Sequence, residues 1–243
     1  MKKLVTILFF FTFFTSFAQD SLSLKQNVQE KALQAANSLR GVNICAELTS
    51  SYWLNLPSGI STSAVSPGTD FTLYYDIPLG KKFYFAPGLS LDNVNVHSNA
   101  AISRQLNAMG TSVVNTQLVP FDSMFGTDYT ANKLVTKYLE IPIELHWKSK
   151  PVHHNKSFFI AAGVRGGVLI QSYWKYVFNA PFGTQKIKDY NIPNLNSFRY
   201  GVMGRVGYGN FALYGFYGLS DLFQSGKGTV ATPVAIGISV TTF

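Results

Sequence analysis

The chain has 243 residues, a formal net charge of +8, 15% aromatic residues and only 13% charged ones. Ordinary soluble domains carry roughly 25% charged residues, so the balance argues against a water-coated globule. The single cysteine, Cys45, excludes an intrachain disulfide and a cysteine-rich zinc site.

The amino-terminal stretch reads as a Sec export signal. Lys2 and Lys3 form a positive start, Leu4 to Phe14 an apolar run, and Ser16-Phe17-Ala18 a small-x-small cleavage site. The expected mature start is therefore Gln19, with residues 1–18 as signal peptide. Residues 19–40 differ from the rest: Leu24, Ala32, Leu33, Ala36 and Leu39 sit among polar residues, which suggests a partly helical periplasmic lead. Residues 41–243 form the third region. No later apolar run is long enough to cross a bilayer as a helix, so a membrane location requires strands.

Eight strands are expected in residues 41–243, each recognised by alternation of apolar and polar residues. They are Gly41–Trp53, Thr69–Ile77, Lys82–Val96, Leu134–Lys148, Ser157–Tyr173, Ser197–Gly207, Asn210–Leu222 and Thr229–Phe243. The fourth is the clearest: Leu139, Ile141, Ile143, Leu145 and Trp147 alternate with Glu140, Pro142, Glu144 and His146. Connections after the even-numbered strands are short and those after the odd-numbered ones longer, the pattern of periplasmic turns and external loops. The longest, His97–Lys133, is expected to be external and mobile. The fold class that follows is an all-β, eight-stranded antiparallel transmembrane β-barrel.

The polar faces are mostly Gly, Ser, Thr, Ala, Asn and Tyr, thin cover for a water-exposed surface but suited to a crowded lumen. That lumen is predicted to hold Glu47, Asp70, Asp76, Asp92, Glu140 and Glu144 with Arg165, Arg199 and Arg205. Eight strands leave an interior just wide enough for side chains, so mutual neutralisation is expected, with Glu140 facing Arg165 across one strand pair. Aromatic girdles at the two rims are expected from Trp53, Phe71, Tyr173 and Trp174 on the outside and from Trp147, Tyr208 and Phe211 at the periplasmic side. Pro142 cannot donate to a ladder and a closed barrel has no edge strand, so a bulge or a missing bond is expected there.

His146 beside Glu144 could serve acid–base chemistry, yet no nucleophile is placed nearby, and a structural histidine is the simpler reading. His153-His154 lack a third metal ligand, and Gly163 to Gly167 lacks the context of a phosphate loop. No cofactor is expected. Export makes nucleic acid an improbable partner despite the basic charge. Outer-membrane lipids and lipopolysaccharide are the expected anionic neighbours, and the barrel is expected to be a monomer.

The run Tyr138-Leu139-Glu140-Ile141-Pro142-Ile143-Glu144-Leu145 resembles the Y-L-E-I-P-x-E-L strand of PorT-like outer-membrane β-barrel proteins of Bacteroidota. Phe159 to Gly167, Tyr217 to Phe223 with Gly226-Lys227-Gly228, and Thr232 to Gly237 are similar to that group as well. The resemblance implies an outer-membrane barrel without a known enzymatic activity, and a role accessory to type IX secretion is one implied option; envelope or secretion-machinery proteins are the candidate protein partners. The sequence supports a plugged barrel acting through its loops; a small passive pore and an outer-membrane enzyme are the alternatives.

Overall fold

Eight antiparallel strands close on themselves in this computed structural model, which describes residues 41–150, 157–180 and 183–242. The expected signal peptide, the lead at 19–40, His153-His154 and Phe243 lie outside the described residues. The strands in chain order are β1 (Val42–Leu54), β2 (Pro67–Tyr75), β3 (Ile77–Pro78), β4 (Phe83–His97), β5 (Ala100–Leu106) and β6 (Val113–Pro120). A short helix α1 (Phe121–Phe125) follows, then β7 (Tyr129–Lys148), β8 (Phe158–Ala180), β9 (Gly183–Asp189), β10 (Phe198–Tyr208), β11 (Phe211–Gly218) and β12 (Thr232–Thr241). The wall runs β1-β2-β4-β7-β8-β10-β11-β12, and β12 pairs back onto β1. These are the eight expected strands, each within a few residues of its expected limits except where β7 and β8 extend beyond the barrel wall.

Strand alternation sorts every side chain to one of two faces. Outward, each wall strand exposes apolar groups: Leu48, Phe71, Leu91, Ile141, Val164, Val202, Leu213 and Ile238 are all more than two-fifths exposed. A continuous apolar ring of this extent has no place on a soluble monomer. Inward, the buried set is polar and includes Glu47, Asp70, Asp92, Glu140, Glu144, Arg165, Arg199 and Arg205.

Small residues make this interior possible. A Cβ on Gly163 would lie 2.1 Å from the Ile143 carbonyl oxygen, and one on Gly167 would lie 2.4 Å from the Leu139 oxygen and 2.5 Å from Glu140 Cγ. The β7 and β8 backbones therefore approach as closely as they do only because those positions are glycine. At the β10–β11 turn, Gly209 adopts φ 60° between the paired Tyr208 and Phe211, the left-handed conformation a two-residue hairpin loop demands.

Pro142 interrupts its ladder without a bulge. The β4–β7 pairing runs from Phe83↔Trp147 to Pro87↔Ile143 and resumes at Ser90↔Glu140 in the same register. Pairing is missing where Gly88 and Leu89 face Pro142 and Ile141. Gly88 accommodates the ring, since a Cβ there would lie 3.1 Å from Pro142 Cγ.

The long-loop end differs most from expectation. His97–Lys133 is not an irregular loop: β5 and β6 form a hairpin inside it, followed by α1, and β7 begins at Tyr129. Likewise β8 continues to Ala180 and pairs with β9. All four long connections send apolar groups into one cluster over the barrel mouth: Ile60 from the first, Ile102, Leu118 and Phe121 from the second, Ile192 and Leu195 from the third, and Leu222 and Phe223 from the fourth. Trp53, Leu134 and Trp174 rise into it from the wall. Polar bonds stitch it: Trp174 Nε1 donates to Asn132 Oδ1 (2.6 Å), Asn132 Nδ2 to the Ala100 carbonyl (2.6 Å), and the Leu118 amide to Thr229 Oγ1 (2.8 Å).

Two expected rim aromatics are thereby corrected. Trp53 (4% exposed) and Trp174 (fully buried) face inward, their rings 5.9 Å apart. Trp53 simply shares the odd parity of Cys45 and Glu47. Trp174 is turned inward because Ile170 is an extra residue in β8: Lys137 pairs with Gln171 but Tyr138 with Leu169, and such a bulge exchanges the two faces beyond it. Phe71, Tyr208 and Phe211 are exposed on the outer face, with Trp147 and Tyr173 part-exposed. At the short-turn end Phe83 pairs with Trp147, and Tyr208 with both Phe158 and Phe211.

Two substitutions test this packing in lipid-reconstituted protein. Gly167→Ala should lower the unfolding free energy by about 1–3 kcal/mol through overpacking, read as an earlier urea midpoint. Trp174→Ala should cost about 3–5 kcal/mol by emptying the mouth cluster, read in the same titration; an unchanged midpoint would show that the cluster contributes nothing to stability.

Candidate functional site

The lumen is a column of ionisable side chains whose positions follow from strand parity. Cations come from β8 and β10, with Lys148 at the end of β7; carboxylates come from β1, β2, β4 and β7 and from Asp76 after β2. At the short-turn end Lys148 Nζ meets Asp76 Oδ2 at 2.8 Å and stands 4.6 Å over the Tyr84 ring. His146 lies beside them, with Nδ1 3.5 Å from Asp76 Oδ1 and Nε2 2.8 Å from Glu144 Oε2.

One level further in, Arg205 spans the barrel. Its guanidinium reaches Glu47 Oε1 at 2.7 Å and Glu144 Oε2 at 3.2 Å, and donates to the Tyr74 hydroxyl at 2.7 Å. Tyr74 in turn donates to Glu144 Oε1 at 2.5 Å. The Arg205 guanidinium also lies 5.0 Å from the Tyr74 ring and 5.7 Å from that of Tyr214.

Above it Arg165 and Arg199 share three carboxylates. Arg165 contacts Asp70 Oδ2 at 2.8 Å, Glu140 Oε2 at 3.3 Å and Asp92 Oδ2 at 3.8 Å. Arg199 pairs with Asp92 and holds Glu140 Oε1 at 2.8 Å. Asp70 and Asp92 are direct cross-strand neighbours, a repulsive pairing that the two guanidiniums offset. Thr72 and Ser90 hydroxyls each donate to Asp70 Oδ1 at 2.7 Å. Arg199 lies 4.1 Å over the Tyr138 ring and 5.1 Å from Phe216, the planar stacking available to arginine but not to lysine.

The register corrects one expected pair. Arg165 stands opposite Pro142, and Glu140 opposite Gly167, two residues from the expected alignment. Glu140 and Arg165 still meet, because both side chains are long enough to join diagonally. Glu47, Asp76, Asp92, Glu140, Glu144, Arg165, Arg199 and Arg205 all stand in this one column. Lys148, Tyr74, Tyr138 and Tyr214 are participants that the sequence reading passed over. Lys148 was legible, since it continues the even-numbered inward face of β7 through Glu140, Glu144 and His146.

Oxygens of Asp70, Asp92 and Glu140 lie within 4.8 Å of one another, a spacing compatible with a metal ion. Arg165 and Arg199 already engage that trio, so an added cation would sit against two guanidinium charges. His146 and Glu144 form the acid–base pair weighed from sequence, but His146 is 3% exposed and held between two carboxylates. Between the ion pairs and the mouth cluster lies a cavity of about 30 Å³, lined among others by Glu47, Asp70, Arg165 and Tyr214. That is room for about one or two water molecules.

Residues 17–224 match the family described as Outer membrane protein beta-barrel domain. Among solved structures, Ail, the attachment invasion locus protein of Yersinia pestis crystallised with the heparin analogue sucrose octasulfate, is similar at 12% identity and a TM-score of 0.35, over 83% of this chain and 97% of Ail. The translocator domain of the autotransporter NalP from Neisseria meningitidis is similar at 10% identity and a TM-score of 0.25, over 90% of this chain and 96% of that domain. No curated protein matches the sequence. With its family match spanning most of its length and its apolar ring facing outward from eight closed strands, the chain belongs to the outer membrane protein beta-barrel domain family.

Proposed function

We propose that this outer-membrane protein is a closed, non-conducting and non-enzymatic barrel that acts through the ordered face built by its long connections, as an interaction or envelope-structure protein. The observation that carries the reading is the doubly blocked lumen: a cross-braced column of ion pairs below, and an apolar cluster fed by all four long connections above. A hydrated ion would have to break buried pairs and then cross a dry apolar layer, both costly steps. The ordered hairpin β5–β6 and the β8–β9 extension give the external side a fixed relief, which suits a docking face better than a channel vestibule. Residues 1–18 fit removal on export, with Gln19 as the new terminus.

The finer, PorT-like reading gains support from where its motif falls. Tyr138 stacks under Arg199, Glu140 joins Arg165 and Arg199, Glu144 holds Arg205, and Pro142 lies against Gly88. The motif thus describes how the lumen is braced. Crosslinking in the native envelope tests that role: recovery of type IX secretion components with the barrel supports it, and their absence from the crosslinked material removes it.

In planar bilayers the purified barrel should show no steady single-channel conductance; a stable ohmic current through the unmodified protein would sink the closed-barrel reading in favour of a passive pore. Arg205→Met should strand Glu47 and Glu144 and lower stability by about 3–5 kcal/mol. Removing one stranded carboxylate with Glu47→Gln in the same chain restores the original charge balance and should recover part of that loss, a coupling measurable as a double-mutant cycle.

A further inference from the structure

The outward face of the wall just beyond the apolar ring carries a row of basic residues, three of them lysines, that the lumen does not explain. In register across four strands stand His97 of β4, Lys133 of β7, Lys175 of β8 and Lys188 of β9: His97 pairs with Lys133, Lys133 with Lys175, and Lys175 with Lys188. Cross-strand partners share a face and lie about 5 Å apart. That face is the outer one, because Asn132, Leu134 and Trp174, the neighbours of Lys133 and Lys175 in sequence, are buried inward.

Sheets normally set opposite charges against each other, and like charges in direct register are unfavourable. Among the described residues, Lys133, Lys175 and Lys188 form no carboxylate ion pair. Lys133 Nζ donates only to Asn95 Oδ1 at 3.2 Å, and Lys188 lies 5.3 Å over the Tyr173 ring. Tyr173 itself packs on Tyr190 at 5.5 Å, an aromatic pair of the kind that settles at a membrane interface.

Depth is the second argument. Lys137, also outward and paired with Asn93 and Gln171, is the outward-facing residue just before Leu139, where the exposed apolar ring begins on β7. From Lys137 to Lys133 is about 13 Å along the strand, or roughly 10 Å along the membrane normal at barrel tilt. The row therefore occupies the headgroup zone at the long-loop end, facing lipid and not bulk solvent.

We propose that Lys133, Lys175 and Lys188, with Lys137 beneath them, form a binding site for the phosphate groups of the phosphorylated glycolipid of the outer leaflet. The site gives the barrel an annular lipid partner on one side of its wall, the side where β9 widens it. This inference is independent of whether the lumen conducts, and it rests on the long-loop end facing the cell exterior.

The test uses the full-length mature protein in detergent, with bisphosphorylated lipid A as probe and native mass spectrometry as readout. Lipid A should be retained on the wild type. Each lysine near a charged interface contributes roughly fivefold, so Lys133→Gln, Lys175→Gln and Lys188→Gln together should weaken retention on the order of a hundredfold. The corresponding triple arginine variant should retain the lipid. Dephosphorylated lipid A should not be retained by any of them. Equal retention by the glutamine and wild-type proteins overturns the proposal. So does equal preference for phosphatidylglycerol, or displacement by stoichiometric inorganic pyrophosphate, since either would mark a general anion surface. If the glutamine variant fails to fold, as judged by heat-modifiable gel migration, salt decides: wild-type affinity that stays flat from low to high ionic strength overturns the site.

Discussion

Three guanidiniums crossing the lumen are the constraint on which the rest of the barrel depends. Arg165, Arg199 and Arg205 project from β8 and β10 and end on carboxylates of β1, β2, β4 and β7. They brace strands that are not neighbours in the wall, which backbone ladders cannot do. They also hold register. A slip of one residue in β8 or β10 would turn these arginines toward hydrocarbon and leave up to five acids unpaired inside, so the penalty for error is paid on both faces at once. Burial alone would make such a charge cluster costly; stacking on Tyr74, Tyr138, Tyr214 and Phe216 and donation from Thr72, Ser90 and Tyr74 satisfy much of what the ion pairs leave open.

The two halves of the protein solve different problems. Within the membrane zone the outside is apolar and the inside polar, with glycine wherever a backbone must come close to a long charged neighbour. At the long-loop end that arrangement inverts: the interior becomes the apolar cluster around Trp53, Trp174 and Phe121, and the wall outside it carries lysines and asparagines. The inversion tracks the solvent each half meets, lipid in one case and water with headgroups in the other.

Much of this was legible in residue order alone. Period-two alternation located all eight wall strands and assigned the carboxylates and arginines within the membrane zone to the inner face, because lipid outside and a packed lumen inside leave no other place for them. What alternation could not supply was pairing across the barrel. Which arginine meets which acid depends on closure and shear, and a diagonal contact such as Glu140 to Arg165 survives a two-residue error in alignment. Ala100-Ala101-Ile102 lacks alternation altogether, so the β5–β6 hairpin left no periodic trace; it forms because the cluster over the mouth buries one end of it. Trp53 was readable from its parity with Glu47, but an expectation about aromatic rims outweighed that parity.

The extra residue at Ile170 has a consequence for how the protein can vary. Below it, odd-numbered positions of β8 face the lumen; above it, even-numbered ones do. One inserted residue thus places Trp174 in the mouth cluster and Lys175 on the outer wall together, so interior and exterior chemistry of that hairpin are set by a single count. A lone insertion or deletion just after Ile170 would exchange the two surfaces of β8 beyond it, whereas paired changes would preserve both. Length variation in this arm is therefore quantised in steps of two.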